Sequence, residues 1–307
     1  MKMLLVSDAW ITHQDGVTLH PELFLWQDTL HRRYQKQWFD CSPHNPLSLY
    51  AELQAVSPVS LLLRKKLEKE SINGAQFWIA SPYHARMGRD SIRLLPEALV
   101  PWCEQDARWL CALLNPLLAE EGMQLHALGA ALLLSCQKRL DAAPVPFAAI
   151  AGDQLPNRHP EGMDGGRLMR LLSEIQMLLN QFPAKHRRER GEPDIHGLWL
   201  WGGAEDIPDQ PLQRHIAVAT RNPCLDAVTD GKDAALIITE AENVRQLVRS
   251  EQAKLPKYVM LSGGEHALLL RQRMIPRWGS ACWQPHAMKD EANLWQALRQ
   301  VLELRDH

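Results

Sequence analysis

Four short stretches of this sequence gather polar side chains where an apolar run or helix ends, and each supports a definite chemistry. Ser7-Asp8 closes the apolar run Met1 to Val6. At the end of a parallel strand an acid can hold a metal or act as acid or base, and it can equally cap the next turn. Pro183 to Arg190 (PAKHRRER) packs Lys185, His186, Arg187, Arg188 and Arg190 into six residues. Guanidinium forks match phosphate or carboxylate oxygens two bonds at a time. The competing reading is a solvated charge run satisfying the last carbonyls of a helix. Gly202-Gly203 follows the run LWLW and could bring a backbone close to an anion. Ser262-Gly263-Gly264-Glu265-His266 adds an acid and an imidazole to a glycine turn, but its Ser-x-x-Glu spacing also fits the capping box of a helix.

Signatures of other chemistries are missing. The chain has no Gly-x-Gly-x-x-Gly, no phosphate loop, no Gly-x-Ser-x-Gly and no His-Glu-x-x-His. Its six cysteines (Cys41, Cys103, Cys111, Cys136, Cys224 and Cys282) form no Cys-x-x-Cys pair and suggest no zinc spacing with histidine, so free, mostly buried thiols are expected.

The 307 residues carry 34 Lys and Arg against 36 Asp and Glu, a net charge of -2. Without a basic surplus the electrostatic case for a nucleic-acid binder fails. Apolar residues at 46% fit a globular chain with a sizeable core. Eleven tryptophans against four tyrosines imply wide aromatic plates whose N–H groups need partners. There is no apolar run of bilayer length and no signal-peptide pattern, so a cytoplasmic protein away from membranes is expected.

These groups must be positioned by elements readable from periodicity. Met1 to Val6, Leu198 to Trp201, Ile216 to Thr220, Ala234 to Thr239 and Tyr258 to Ser262 are short apolar runs expected to share one sheet. Helices are expected at Ser60 to Glu70, Trp102 to Glu121, Gly166 to Asn180, Glu240 to Lys254, Glu265 to Arg273 and Lys289 to Leu304, with a strand at Gln76 to Ala80 and a loop over Ala142 to Gly165. The fold class that follows is α/β, a mostly parallel sheet covered by helices with a helical middle region. Residues 1–75 and 196–307 form the α/β core, and 76–195 the inserted helical region.

Leu178 to Gly203 (LLNQFPAKHRRERGEPDIHGLWLWGG) resembles a block of the cofactor-independent phosphoglycerate mutase-like proteins of the alkaline phosphatase superfamily, and is most similar to its bacterial RpfE-type regulatory branch. Ala80 to Pro96 and Pro156 to Gly162 resemble two further segments of that branch, so the likeness spans residues 76–205. Arg188 stands at the family's arginine. Phe182 replaces a His, Lys185 and His196 each an Asn, Ser81 an Asp and Ala204 a Gly.

The resemblance implies the alkaline phosphatase-like α/β core. Active members of that superfamily hold two divalent metals with several Asp and His residues, and a Ser or Thr takes up phosphate; those motifs are missing here. Two adjacent cations need several carboxylates to offset their charge. The expectation is therefore a non-catalytic, regulatory protein without cofactor or metal, which binds a protein partner or a small anionic ligand. Lys185, Arg188, His196, Gly202 and Gly203 are the candidate anion-binding residues. The alternative is a metal-dependent phosphomutase or phosphatase acting on a small phosphorylated metabolite, with Asp8 as metal ligand, Ser7 as nucleophile, and Arg188 or Lys185 holding the phosphate.

Overall fold

A computed structural model describes residues 3–13, 16–68, 71–88, 91–205, 216–229, 236–246, 256–276, 283, 285 and 288–303. In chain order its elements are β1 (Met3–Ser7), β2 (Trp10–His13), β3 (Gly16–Leu19), α1 (Gln27–Arg33), β4 (Tyr34–Asp40), α2 (Pro46–Gln54), α3 (Pro58–Leu67), β5 (Gln76–Tyr83), β6 (Ala85–Met87), β7 (Ile92–Leu94), α4 (Glu104–Glu120), β8 (Met123–Leu128) and β9 (Ala131–Cys136). There follow α5 (Gly165–Gln181), α6 (Lys185–Glu189), β10 (Gly197–Ala204), β11 (Val218–Ala219), α7 (Pro223–Asp226), β12 (Leu236–Glu240), β13 (Tyr258–Gly263), β14 (His266–Gln272) and α8 (Glu291–Glu303). The chain divides into two compact units, Met1–Ala55 with Leu212–His307, and Val56–Pro211.

The first unit is built on a six-stranded sheet in the order β11-β12-β1-β13-β14-β4. β11, β12, β1 and β13 run parallel, whereas β14 is antiparallel to both its neighbours, so the sheet is mixed rather than mostly parallel. Every residue of β1, β12 and β13 is buried, as strands covered on both faces require. Around them Trp10, Trp38 and Trp283 cluster, with Trp10 and Trp38 centroids 4.9 Å apart and the Trp10 indole N–H donating to the Leu261 carbonyl at 2.9 Å.

Two expectations fail here for local reasons. The stretch Glu265 to Arg273 holds the strand β14 (His266–Gln272) and not a helix, because Gly263 pairs with His266 across a two-residue loop. Gly264 leads that loop at φ 57°, the glycine-first geometry that matches strand twist in a hairpin. Ser262 therefore caps no helix, and its hydroxyl donates to the Val6 carbonyl at 3.2 Å. The expected helix Glu240 to Lys254 is described only to Gln246, where Ala241–Asn243 form a 3-10 turn; 247–254, Met1, Lys2, Ala234 and Cys282 lie outside the described residues.

The second unit carries its own four-stranded antiparallel sheet, β10-β5-β9-β8, with α3, α4 and α5 packed on it. Leu198 to Trp201 thus lies in β10 and pairs with β5, apart from the sheet of β1. A middle region read as helical is in fact a sheet with helices, and its limits fall at 55/56 and 211/212 in place of 75/76 and 195/196. Edge strand β8 keeps its outward backbone groups occupied. Asn115 exchanges two hydrogen bonds with Leu125, and the Lys66 ammonium donates to the Ala127 carbonyl at 2.8 Å. Among the described residues no helix is long and apolar enough to cross a membrane.

Candidate functional site

In the first unit the parallel strands β1, β12 and β13 end at Ser7, Glu240 and Gly263, the edge where open α/β sheets collect functional groups. Ser7 and Glu240 are register partners, and both are buried. Asp8 turns out to solvent at φ 54°, a left-handed conformation that Asp tolerates better than most side chains. That turn lets the Ala9 N–H donate to the Ser262 carbonyl at 2.8 Å and sends Trp10 into the core.

Glu240 is the acid that periodicity missed, because it reads as the first residue of a helix. Its Oε1 accepts from the Asn222 amide at 2.8 Å, and its Oε2 from the Asn243 amide at 3.2 Å. Asn222 cannot turn around. Its carbonyl oxygen already accepts from the Cys224 and Leu225 N–H groups, capping α7. Burial pushes the Glu240 carboxyl above its ordinary value, although the two amides pull the other way. The strand ends therefore present one amide-held acid beside a sealed hydroxyl.

The basic run becomes the short helix α6 of the second unit, and its charges meet acids of the protein itself. Asp106 lies on the buried face of α4, one turn before Leu110, and is fully buried. It accepts from Arg187 at 2.9 Å, Arg190 at 2.9 Å, His186 at 2.8 Å and the Cys103 N–H at 3.0 Å. Burial alone would raise its carboxyl, but the Cys103, Arg190, Arg187 and His186 contacts outweigh it and hold Asp106 below the usual carboxylate range. Arg187 is fully buried too, donating to the Pro193 carbonyl at 3.0 Å. The signal available in the sequence was an acid in the apolar stripe of α4, spaced like the leucines around it.

The five candidate anion residues do not come together. Lys185, Arg188 and His196 precede β10, whereas Gly202 and Gly203 lie near its far end, roughly 20 Å along the strand from His196 at about 3.3 Å per residue. The glycines there serve packing. A Cβ on Gly202 would stand 2.6 Å from Val59, and one on Gly203 2.8 Å from the Trp78 ring. Arg188 is exposed and forks onto Asp194, with its Nη2 at 3.0 Å from Oδ2. Asp194 links onward, its carbonyl facing His84 Nδ1 at 2.8 Å. The His84 ring lies 4.5 Å from that of His196, tilted against it at 43°. His196 Nδ1 accepts from the Ala85 N–H at 3.0 Å, and burial, with the neighbouring His84, holds its imidazole below the ordinary value. A neutral His196 thus carries its proton on Nε2.

A further pair lies beside a cleft of about 510 Å³ lined by Asn73, Gln124, His126 and Gln137. His126 Nε2 lies 2.9 Å from the Ser135 hydroxyl, and burial lowers the imidazole's basicity. Ser135 is only 4% exposed, and its hydroxyl also donates to the Gln124 carbonyl at 3.4 Å.

Among the described residues one group of three donors lies close enough to share a metal ion: Cys41, His44 and Glu291, with one ligand atom of each within 4.8 Å of the others. Cys41-Ser42-Pro43-His44 is a Cys-x-x-His spacing, one that the expectation of no zinc-site spacing between cysteine and histidine passed over.

No family model matches the chain, and no curated protein matches it. Among solved structures it is similar to a cofactor-independent phosphoglycerate mutase from Thermoplasma acidophilum. The alignment covers 98% of this chain and 99% of that one at 11% identity, with a TM-score of 0.38. At that score the likeness carries no argument for fold or for activity.

Proposed function

We propose that this chain is a non-catalytic, cytoplasmic relative of the cofactor-independent phosphoglycerate mutases, of the RpfE-type regulatory branch and on an alkaline phosphatase-like core, which binds a small anion or a protein partner. The observation that carries the reading is the setting of Glu240. A two-metal phosphotransfer site needs several ionised carboxylates converging on its cations. Glu240, the buried acid at these strand ends, has both oxygens taken by amides, and burial favours its neutral form. Its partner in register, Ser7, is sealed and so poorly placed to attack a phosphate.

The anion part of the reading rests on Lys185, Arg188 and His196. Arg188 presents its fork at the surface, and an incoming phosphate or carboxylate would exchange with Asp194, an exposed pair of the kind that holds weakly. Thermal-shift titration with phosphorylated three-carbon acids tests it on wild type and Arg188→Ala side by side. A wild-type shift weakened roughly tenfold or more in apparent affinity by the substitution supports the site. An equal response from both proteins removes Arg188 from it, and no response from wild type leaves a protein partner as the binding function.

One observation favours the alternative, a metal-dependent phosphomutase or phosphatase. Asp8 holds a left-handed backbone at the end of β1, and strained residues gather at active sites. Manganese bound at two equivalents per chain, and lost in Asp8→Asn, would establish it.

A further inference from the structure

We infer that Cys41, His44 and Glu291 bind a single zinc-class divalent cation, which ties the end of β4 to the first turn of α8. Cys41 follows β4, and Glu291 opens α8; the segment before α8 already runs beside β4, the Asp40 N–H donating to the Lys289 carbonyl at 2.9 Å. The site is separate from the strand-end cluster, since β4 lies three strands from β1, about 14 Å at the usual spacing.

The orientation of His44 makes the case. Its Nδ1 stands 2.5 Å from the Ser42 carbonyl, a contact that requires the proton on that nitrogen. A backbone carbonyl taking the Nδ1 proton is the usual outer contact of a metal-bound histidine, because it fixes the tautomer and turns the Nε2 lone pair toward the ion. Here Nε2 faces Glu291 Oε1 at 3.4 Å. Two acceptors facing each other across such a gap need a cation between them, either a proton on His44 or a metal. Tetrahedral zinc, with bonds of about 2.1 Å to nitrogen and oxygen, sets its donor atoms roughly 3.4 Å apart.

The remaining groups complete a three-donor set. Cys41 Sγ lies 3.7 Å from His44 Nδ1 and hydrogen-bonds to the Glu291 carboxylate, and one ligand atom of each of the three residues lies within 4.8 Å of the others. Glu291 is oriented by the Ser42 N–H at 2.9 Å, the Ser42 hydroxyl at 3.0 Å and the Trp295 indole at 2.9 Å, and the Trp295 ring meets His44 edge to face at 5.3 Å. Thiolate, imidazole and carboxylate together select zinc over magnesium or calcium, and three protein donors leave a fourth position for water. In the free protein burial and the Glu291 charge hold Cys41 as the thiol, so binding must release its proton.

Cobalt(II) is the probe, because a thiolate-to-cobalt charge-transfer band reports a cysteine ligand directly. Chelator-treated full-length protein is titrated with cobalt, then with zinc. The expected result is a charge-transfer band that saturates at one equivalent, is displaced by zinc, and is unchanged in Cys103→Ser. Cys41→Ser loses the band, and His44→Gln weakens binding by more than the roughly 10–100-fold typical of an outer-shell partner. Zinc also raises the melting temperature of wild type, a readout independent of whether the variants fold. A wild type without the band, or a band retained in Cys41→Ser, overturns the assignment. Saturation at two equivalents without sulfur ligation would overturn it as well, and would point instead to the strand ends.

Discussion

Asp106→Asn is the most demanding test of the ion cluster in the second unit. The substitution keeps the size of the side chain and an oxygen for the Cys103 N–H, so the helix cap survives while the charge disappears. Arg187 is left fully buried, with the Pro193 carbonyl at 3.0 Å and the Glu192 carboxylate at 3.4 Å as its remaining partners. Its Nη2 already lacks a partner among the described residues. Removing one member of a buried pair costs about 3–5 kcal/mol, and the surviving Glu192 contact places this case near the lower figure. In a unit of roughly 150 residues about 3 kcal/mol lowers the melting temperature by ~6–12 °C. Thermal unfolding followed by circular dichroism at neutral pH reads this directly, with Arg188→Ala, whose exposed pair lies one residue away, as the control that barely moves. The pH dependence has a fixed sign. Since the native carboxyl is held below its ordinary value of 3.8, its stabilisation is fully present above that pH and drains as pH falls through the lower native value. Wild type and Asp106→Asn therefore converge under strong acid. A shift under about 2 °C at neutral pH would refute the buried cluster.

Glu240→Gln is expected to leave stability at neutral pH within about 1 kcal/mol, since glutamine keeps the shape and an acceptor oxygen for Asn222, and Asn243 can reverse to meet its amide. Because burial raises the Glu240 carboxyl above its ordinary 4.5, wild type gains stability as pH falls from neutral toward that value; chemical denaturation across this range should show the gain absent from the variant. Gly203→Ala drives a methyl group into the Trp78 ring, which is buried and anchored by its indole N–H to Gln76 at 3.1 Å, so a loss of about 1–3 kcal/mol is expected in the same assay.

The parallel strands β1, β12 and β13 were legible because each is a short run apolar on both faces, the pattern that two covered sides impose. α4 and α5 were legible from their leucine stripes for the same reason. β8 and β9 were not: Ala131–Cys136 is continuously buried, and such a run carries no period to separate strand from helix. β14 failed likewise, its direction decided by the turn at Gly264 and by pairing with β4 some 230 residues earlier. The basic run was visible as charge, but which arginine enters the core depends on Asp106, about 80 positions away. The Cys41 and His44 spacing was present in the chain, and only the approach of Glu291 from α8 makes it a three-donor group.

The most direct measurement for the proposed function is turnover. Wild-type protein is incubated with phosphorylated three-carbon acids and with an aryl phosphate, in the presence of manganese, and phosphate release and isomer exchange are followed. Ser7 sealed beside an amide-held Glu240 should give rates equal to those of buffer with metal alone. Exchange or release above that background, abolished by Ser7→Ala or Asp8→Asn in proteins that still fold, would contradict a non-catalytic role and establish the phosphotransfer reading.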